Sequence, residues 1–129
     1  MPLLLDTSVA VDLIDQAEST ISRVRGADAL YLSVISRVEL EAGVYRKGAL
    51  DMLLRARLDA LVGRVEQLPF TGREVGAYAT IIAALGFSRR RVVDRMIAAT
   101  ALTNDLSLAT LNPRDFRGIP GLALEDWST

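Results

Sequence analysis

The sequence predicts an α/β domain of three layers: a mainly parallel sheet of about five short strands, flanked by helices. Three observations predict it. Short apolar runs alternate with helical patterns along the chain, which calls for crossover connections and hence a parallel sheet. Half of the residues are hydrophobic, too many for a disordered chain. The 129 residues suit a single domain spanning 1–129, because either half alone would bury too little surface. The chain has no internal repeat, low-complexity tract or linker.

Pro2 to Leu5 reads as a buried strand, short, uniformly apolar and ended by Asp6. Ser8 is the expected N-cap of a helix from about Val9 to Asp15. A second helix covers Glu18 to Arg25, where Gly26 stops it, and Leu30 to Val34 is the second strand. Ser36 and Glu39 form an S-x-x-E capping box opening a helix to about Arg46. Gly48 separates that helix from another over Ala49 to Leu61. Val65 to Phe70 is the third strand. Thr71 and Glu74 repeat the capping-box pattern for a helix ending near Gly86. Val92 to Thr103 is a further helix, and Leu106 to Thr110 and Leu122 to Leu124 are the final strands.

Composition excludes much chemistry. The chain contains no cysteine and no histidine. Disulfides, thiol nucleophiles, Ser-His-Asp triads and imidazole zinc sites are therefore impossible. A bound metal would have to be held by oxygen, which points to a hard cation. Net charge is −1, but every basic residue except Lys47 is arginine, the side chain best suited to bidentate phosphate recognition. No apolar run reaches the roughly 18 residues of a membrane span. The first residues lack the basic region and cleavage pattern of a secretory signal. A cytoplasmic chain outside the membrane is the expectation.

In open parallel sheets, ligands bind beyond the carboxyl ends of the strands. Asp6 stands at such an end, and Glu39, Asp94 and Asp115 follow other strands or open helices at comparable places. Each also has an ordinary structural explanation. Glu39 completes a capping box, Asp94 suits a helix dipole, and Asp115 suits a turn. Asp94, Ile97, Ala98 and Ala101 share one helical face, and the alanines allow close approach to the sheet. If the carboxylates converge they repel, at about 4 kcal/mol for two charges about 4 Å apart in a medium of effective dielectric near 20. Arginine, protonation or a divalent cation would relieve that repulsion, and the cation also gives the cluster a purpose.

Four stretches, LLLDTSVAVDLI, ISRVELEAGV, VVDRMIAATAL and LATLNPRDF, carry a family resemblance. In order and spacing, from Asp6 to Phe116, they resemble the motifs of PIN-domain ribonucleases, in particular the VapC-type toxins of toxin–antitoxin pairs. The resemblance implies a PIN-like fold and a metal-dependent endoribonuclease. It implies that Asp6, Glu39 and Asp94 form the acidic core, with Asp6 and Asp94 on one or two Mg²⁺ or Mn²⁺ ions. Relatives differ over the fourth position, so Asp115 is favoured for its charge while Asn112 stays in the site as a polar neighbour. Ser8 or Thr110 would supply a supporting hydroxyl. The implied partners are RNA, a cognate antitoxin that occludes the site, and either a second copy of the chain or a hetero-oligomer with the antitoxin.

A carboxylate-held cation lowers the pKa of water and stabilises charge on a phosphodiester, which agrees with a chain lacking histidine. Hydrolysis by water leaves 5′-phosphate and 3′-hydroxyl ends. Arg89 and Arg90, just before Asp94, either grip RNA phosphates or decorate a solvated loop. Two rival α/β enzymes fit poorly. A haloacid-dehalogenase-like phosphatase needs a second aspartate where this chain has Ser8. A phosphoacceptor receiver domain needs an early acidic pair and a late lysine. The remaining alternative is a catalytically inactive PIN module that binds RNA or a protein partner.

Overall fold

Leu3, Leu4 and Leu5 are all buried because alternate side chains of a strand leave opposite faces, and both faces of this one are covered. Leu3 and Leu5 join one apolar cluster and Leu4 joins the other. The computed structural model describes residues 1–45 and 48–128. Along the chain lie β1 (Pro2–Leu5), α1 (Thr7–Ile14), α2 (Glu18–Val24), β2 (Ala29–Ser33), α3 (Val34–Val44) and α4 (Met52–Val62). Then come β3 (Glu66–Leu68), α5 (Gly72–Leu85), α6 (Val92–Thr103), β4 (Ser107–Thr110) and β5 (Leu124–Asp126). Two 3-10 turns, Arg89–Arg91 and Pro113–Phe116, lead into α6 and follow β4.

The strands form one sheet in the order β3-β2-β1-β4-β5, with every pairing parallel. This is the expected three-layer α/β architecture. The chain runs outward from β1 through β2 to β3, then returns to pair β4 on the other side of β1. Strand order therefore reverses at β1 and β4, and a crevice is expected beyond their carboxyl ends. Leu5 is in register with Leu32 on one side and Ala109 on the other, so Asp6 is the first residue past the middle of the sheet.

On one face Val9, Leu40, Val44, Leu58 and Leu61 bring α1, α3 and α4 onto the sheet. On the other, Ile81 of α5 packs with Ile97, Ala98 and Ala101 of α6. The alanine face lies fully buried, as its spacing predicts.

Several expected boundaries shift. Asp6, not Ser8, caps α1: its carboxylate accepts from the Val9 amide at 2.9 Å. Ser36 and Glu39 form no capping box. Ser33 caps α3, accepting from the Ile35 amide at 3.1 Å, which leaves Ser36 buried and Glu39 in the second turn. The Thr71–Glu74 box is present, with the Thr71 amide 2.8 Å from Glu74 Oε1. Helix α4 starts at Met52 rather than Ala49 because Asp51 accepts from the amides of Leu53 and Leu54. Strand β3 is shorter than expected, and β5 lies two residues later. Arg46, the expected end of α3, lies outside the described residues, as does Lys47.

Candidate active site

Asp6 is buried, and its carboxylate accepts from donors on three sides. Ser8 Oγ donates to Oδ1 at 2.6 Å, the Val9 amide donates to the same oxygen, and Thr110 Oγ1 donates to Oδ2. Burial pushes its carboxyl above the ordinary range, and these hydrogen bonds pull part of the way back. Both hydroxyls also accept: Ser8 from the Leu111 amide at 3.2 Å, Thr110 from the Asn112 amide at 2.9 Å. The loop after β4 thus hangs from the two hydroxyls that hold Asp6.

That loop carries Asn112 and Asp115. Asn112 is exposed and precedes the Pro113–Phe116 turn. Asp115 Oδ1 accepts from Arg91 Nη1 at 2.6 Å in a half-buried ion pair. Glu39 reaches over from α3, exposed, and accepts from Thr7 Oγ1 at 2.6 Å. Thr7 Oγ1 also lies 3.0 Å from the buried Ser36 hydroxyl, which fixes the threonine between α1 and α3.

Asp94 lies in the first turn of α6. Arg95, buried beside it, donates to the Gly86 carbonyl at 2.7 Å and ties this turn to the end of α5. Burial, then the charge of Asp115, push the Asp94 carboxyl up to about 6. Arg91 opposes this, while Glu39 and Asp6 add smaller upward pushes. Asp94 therefore feels all three other acids. Four carboxylates, separated along the chain, act on one region at the carboxyl edge of the sheet.

They are coupled through their fields without closing into a cage. Among the described residues, no group of three His, Cys, Asp or Glu side chains is placed to hold a metal ion. Three of the four acids are instead satisfied by protein donors: hydroxyls and an amide on Asp6, a hydroxyl on Glu39, a guanidinium on Asp115. Asp94 makes no such bond among the described residues. A donor set made wholly of oxygen suits Mg²⁺ or Mn²⁺.

Sequence reasoning named both Ser8 and Thr110 as candidate hydroxyls, and both bond Asp6. It missed Thr7 and the pairing of Arg91. Thr7 had no signal beyond adjacency to Asp6. Arg91 stands three residues before Asp94, a visible spacing, yet its partner is Asp115. Arg89 and Arg90 are exposed, with no hydrogen bond or ion pair among the described residues.

A parallel sheet whose strand order reverses beside a buried, hydrogen-bonded aspartate, with further acids from α3, α6 and the loop after β4, defines an α/β domain with an acidic site at its switch point. The chain belongs to the PIN-domain family, whose profile covers residues 3–122, and within it to the VapC group. It is 36% identical over 127 residues to Ribonuclease VapC1 of Rickettsia felis, spanning 95% of this chain and 93% of the relative. Ribonuclease VapC of Rickettsia bellii is 33% identical over 128 residues, with the same coverage of both chains. The structure of DNA-bound VapBC from Salmonella typhimurium matches with a TM-score of 0.84 at 27% identity, covering 98% of each chain. VapBC-1 from nontypeable Haemophilus influenzae matches with a TM-score of 0.81 at 26% identity over 100% of both.

Proposed function

We propose that the chain is an endoribonuclease, the toxin of a toxin–antitoxin pair, cutting RNA phosphodiesters with Mg²⁺ or Mn²⁺. The observation that carries this reading is the setting of Asp94 at the carboxyl edge of the sheet, where burial first, and then the charges of Asp115, Glu39 and Asp6, raise its carboxyl. Isolated caps and turn residues would not share one field. The names of the relatives support the activity, and solved VapBC complexes of matching fold support an antitoxin partner.

Asp6 and Asp94 are the proposed direct ligands of one or two ions, with Glu39 and Asp115 completing the acidic core. Asp115 is preferred over Asn112 because it carries charge and acts on Asp94. When bound, the cation supplies a lowered pKa for a water molecule and an electrostatic clamp for the phosphate. The chain's own contribution is position. Ser8, Thr110 and the Val9 amide fix both oxygens of Asp6 before any ligand arrives, so its orientation costs no further entropy. Thr7 aims Glu39, and Arg91 holds Asp115. Arg89 and Arg90 are free to meet RNA phosphates. Residues 1–129 act as one domain, as a homodimer or with an antitoxin that covers the acidic edge. The setting is the cytoplasm, and among the described residues no helix is long and apolar enough to cross a membrane.

One observation favours a second reading, an inactive PIN module that binds RNA or a partner: among the described residues, no three acids are grouped to hold an ion. Incubating purified protein with RNA and Mn²⁺, beside Asp6→Asn, separates the two. The nuclease reading expects cuts only by the unsubstituted chain, leaving 5′-phosphate and 3′-hydroxyl ends. Equal cutting by both proteins, no cutting by either, or 2′,3′-cyclic phosphate ends would overturn it.

A further inference from the structure

Beside the acidic edge lies a pocket of about 450 Å³, bounded by Asn112, Pro113, Arg114, Asp115, Arg117 and Asp126. Its volume falls in the range of small-ligand sites. Asp115 is a wall common to this pocket and to the acidic region, because it also acts on Asp94. Arg114 and Arg117 are exposed, and neither side chain makes a hydrogen bond or ion pair among the described residues. Arg117 lies in the field of Asp126, whose carboxylate accepts from the Ser128 amide at 2.9 Å. The Asn112 carboxamide is likewise exposed, with both a donor and an acceptor to offer.

The Arg91–Asp115 ion pair binds the Arg89–Arg91 turn to the Pro113–Phe116 turn. Arg89 and Arg90 therefore stand on one turn and Arg114 and Arg117 on or just after the other, with Asp115 between them paired to Arg91. A polyanion lying across the acidic centre would meet arginines on both turns. Guanidinium groups suit phosphate oxygens, and a neutral carboxamide suits a base edge.

From this arrangement we infer that the pocket seats the nucleotide next to the phosphate that is cut. Arg114 and Arg117 hold that nucleotide's phosphate and Asn112 faces its base. The inference rests on the ribonuclease reading and adds a second nucleotide contact beyond the acidic centre.

The test measures binding of a short single-stranded RNA of mixed sequence by fluorescence anisotropy across a salt series, with Mg²⁺ present. Every protein carries Asp94→Asn to prevent cutting. Adding Arg114→Gln and Arg117→Gln should weaken binding about tenfold and reduce the slope of log K against log salt by about 0.7, the share of the one single-strand phosphate they hold. Adding Arg64→Gln instead, at a different pocket, should change neither. Unchanged affinity and slope in the Arg114/Arg117 variant would overturn the pocket. Cleavage by the unsubstituted chain with Mn²⁺ is measured alongside. Cutting together with unchanged binding removes the pocket alone, whereas absence of both cutting and binding removes the ribonuclease reading as well.

Discussion

Thr110 donates its hydroxyl to Oδ2 of Asp6 across 104 residues of chain, joining the end of β4 to the end of β1 in the middle of the sheet. The same hydroxyl accepts from the Asn112 amide at 2.9 Å. One side chain therefore serves the buried acid and the loop that carries Asp115. Thr110→Val preserves shape and removes both bonds. A buried carboxylate that loses a donor costs about 1–3 kcal/mol, so the melting temperature should fall by several degrees. Thr110→Ser should recover most of the loss. Equal melting of the valine and serine variants would mean that the hydroxyl is not what stabilises this point.

Asp94 makes stability depend on pH in an uncommon direction. Its carboxyl is raised from 3.8 to about 6, so the folded state holds a proton that the unfolded state has released between those values. The ionised group costs stability above about 6, and the cost fades as pH falls through 6 toward 3.8. After allowance for partial exposure, the penalty at neutral pH is on the order of 1–2 kcal/mol. Without added metal, Asp94→Asn should therefore be more stable than the parent at pH 7, with the advantage shrinking toward pH 4. Asp6 is raised as well and adds the same trend to both proteins. Below about 4.5 the groups held low, Glu41 at about 2 among them, lose favourable interactions and reverse the trend. Parallel stability curves for parent and variant from pH 4 to 7 would exclude this role for Asp94.

Addition of Mn²⁺ should act on the same residue from the other side. A cation offsets the burial and the neighbouring negative charges that raise the Asp94 carboxyl, and proton and metal compete for it. At about a hundredfold excess over Kd, binding stabilises by about 2.7 kcal/mol, or several degrees in Tm. The gain should be present at pH 7.5, diminish below pH 6, disappear on chelation with EDTA and be absent in Asp94→Asn. An identical Mn²⁺ shift in the variant would place the binding somewhere else.

The parts of this molecule legible in the sequence are those set by local pattern. Three leucines before Asp6 read as a strand buried on both faces, and the alanines after Asp94 read as a close-packed helix face. Glu74 three residues after Thr71 read as a capping box. The misreadings arose where two neighbouring residues could do the same job. Asp6 and Ser8 both suit an N-cap, as do Ser33 and Ser36, and only the direction in which the strand delivers the chain decides between them. Distant pairings left no local trace at all. Thr7 meets Glu39 because α1 and α3 pack together, Thr110 meets Asp6 because β4 returns to β1, and Arg91 meets Asp115 because two 3-10 turns face one another. The acids and the two hydroxyls on Asp6 were named from the sequence; Thr7 and Arg91, which hold Glu39 and Asp115, were not.

The Thr71–Glu74 box is a control for effects outside the site. The Thr71 hydroxyl donates to Glu74 Oε1 at 2.5 Å and accepts from the Arg73 amide at 3.3 Å, at the far end of α5 from α6's first turn. Thr71→Ala should lower stability by about 1 kcal/mol through loss of the cap, with the metal-dependent shift in Tm unchanged. A reduced Mn²⁺ response in this variant would mean that the response reports general stability rather than the acidic site.

Arg91 gives a test that separates an electrostatic role from a scaffolding one. It pairs with Asp115 at 2.6 Å, and its charge is the main influence pulling the Asp94 carboxyl down. The pair is partly exposed, with 31% and 40% of the two side chains accessible, so its loss should cost no more than about 1 kcal/mol of stability. Arg91→Gln nevertheless removes the main opposing charge and leaves Asp115 without this partner beside Asp94. The Asp94 carboxyl should then titrate above 6, and the acid limb of a pH–rate profile should move upward with it. Arg91→Lys retains the charge and should keep the limb near its original position, even if the shorter ammonium pairs less well with Asp115. Carboxyl titration followed by NMR, together with the pH–rate profile, checks both variants. If glutamine and lysine move the limb equally, Arg91 acts by shape, and the electrostatic account of the Asp94 environment fails.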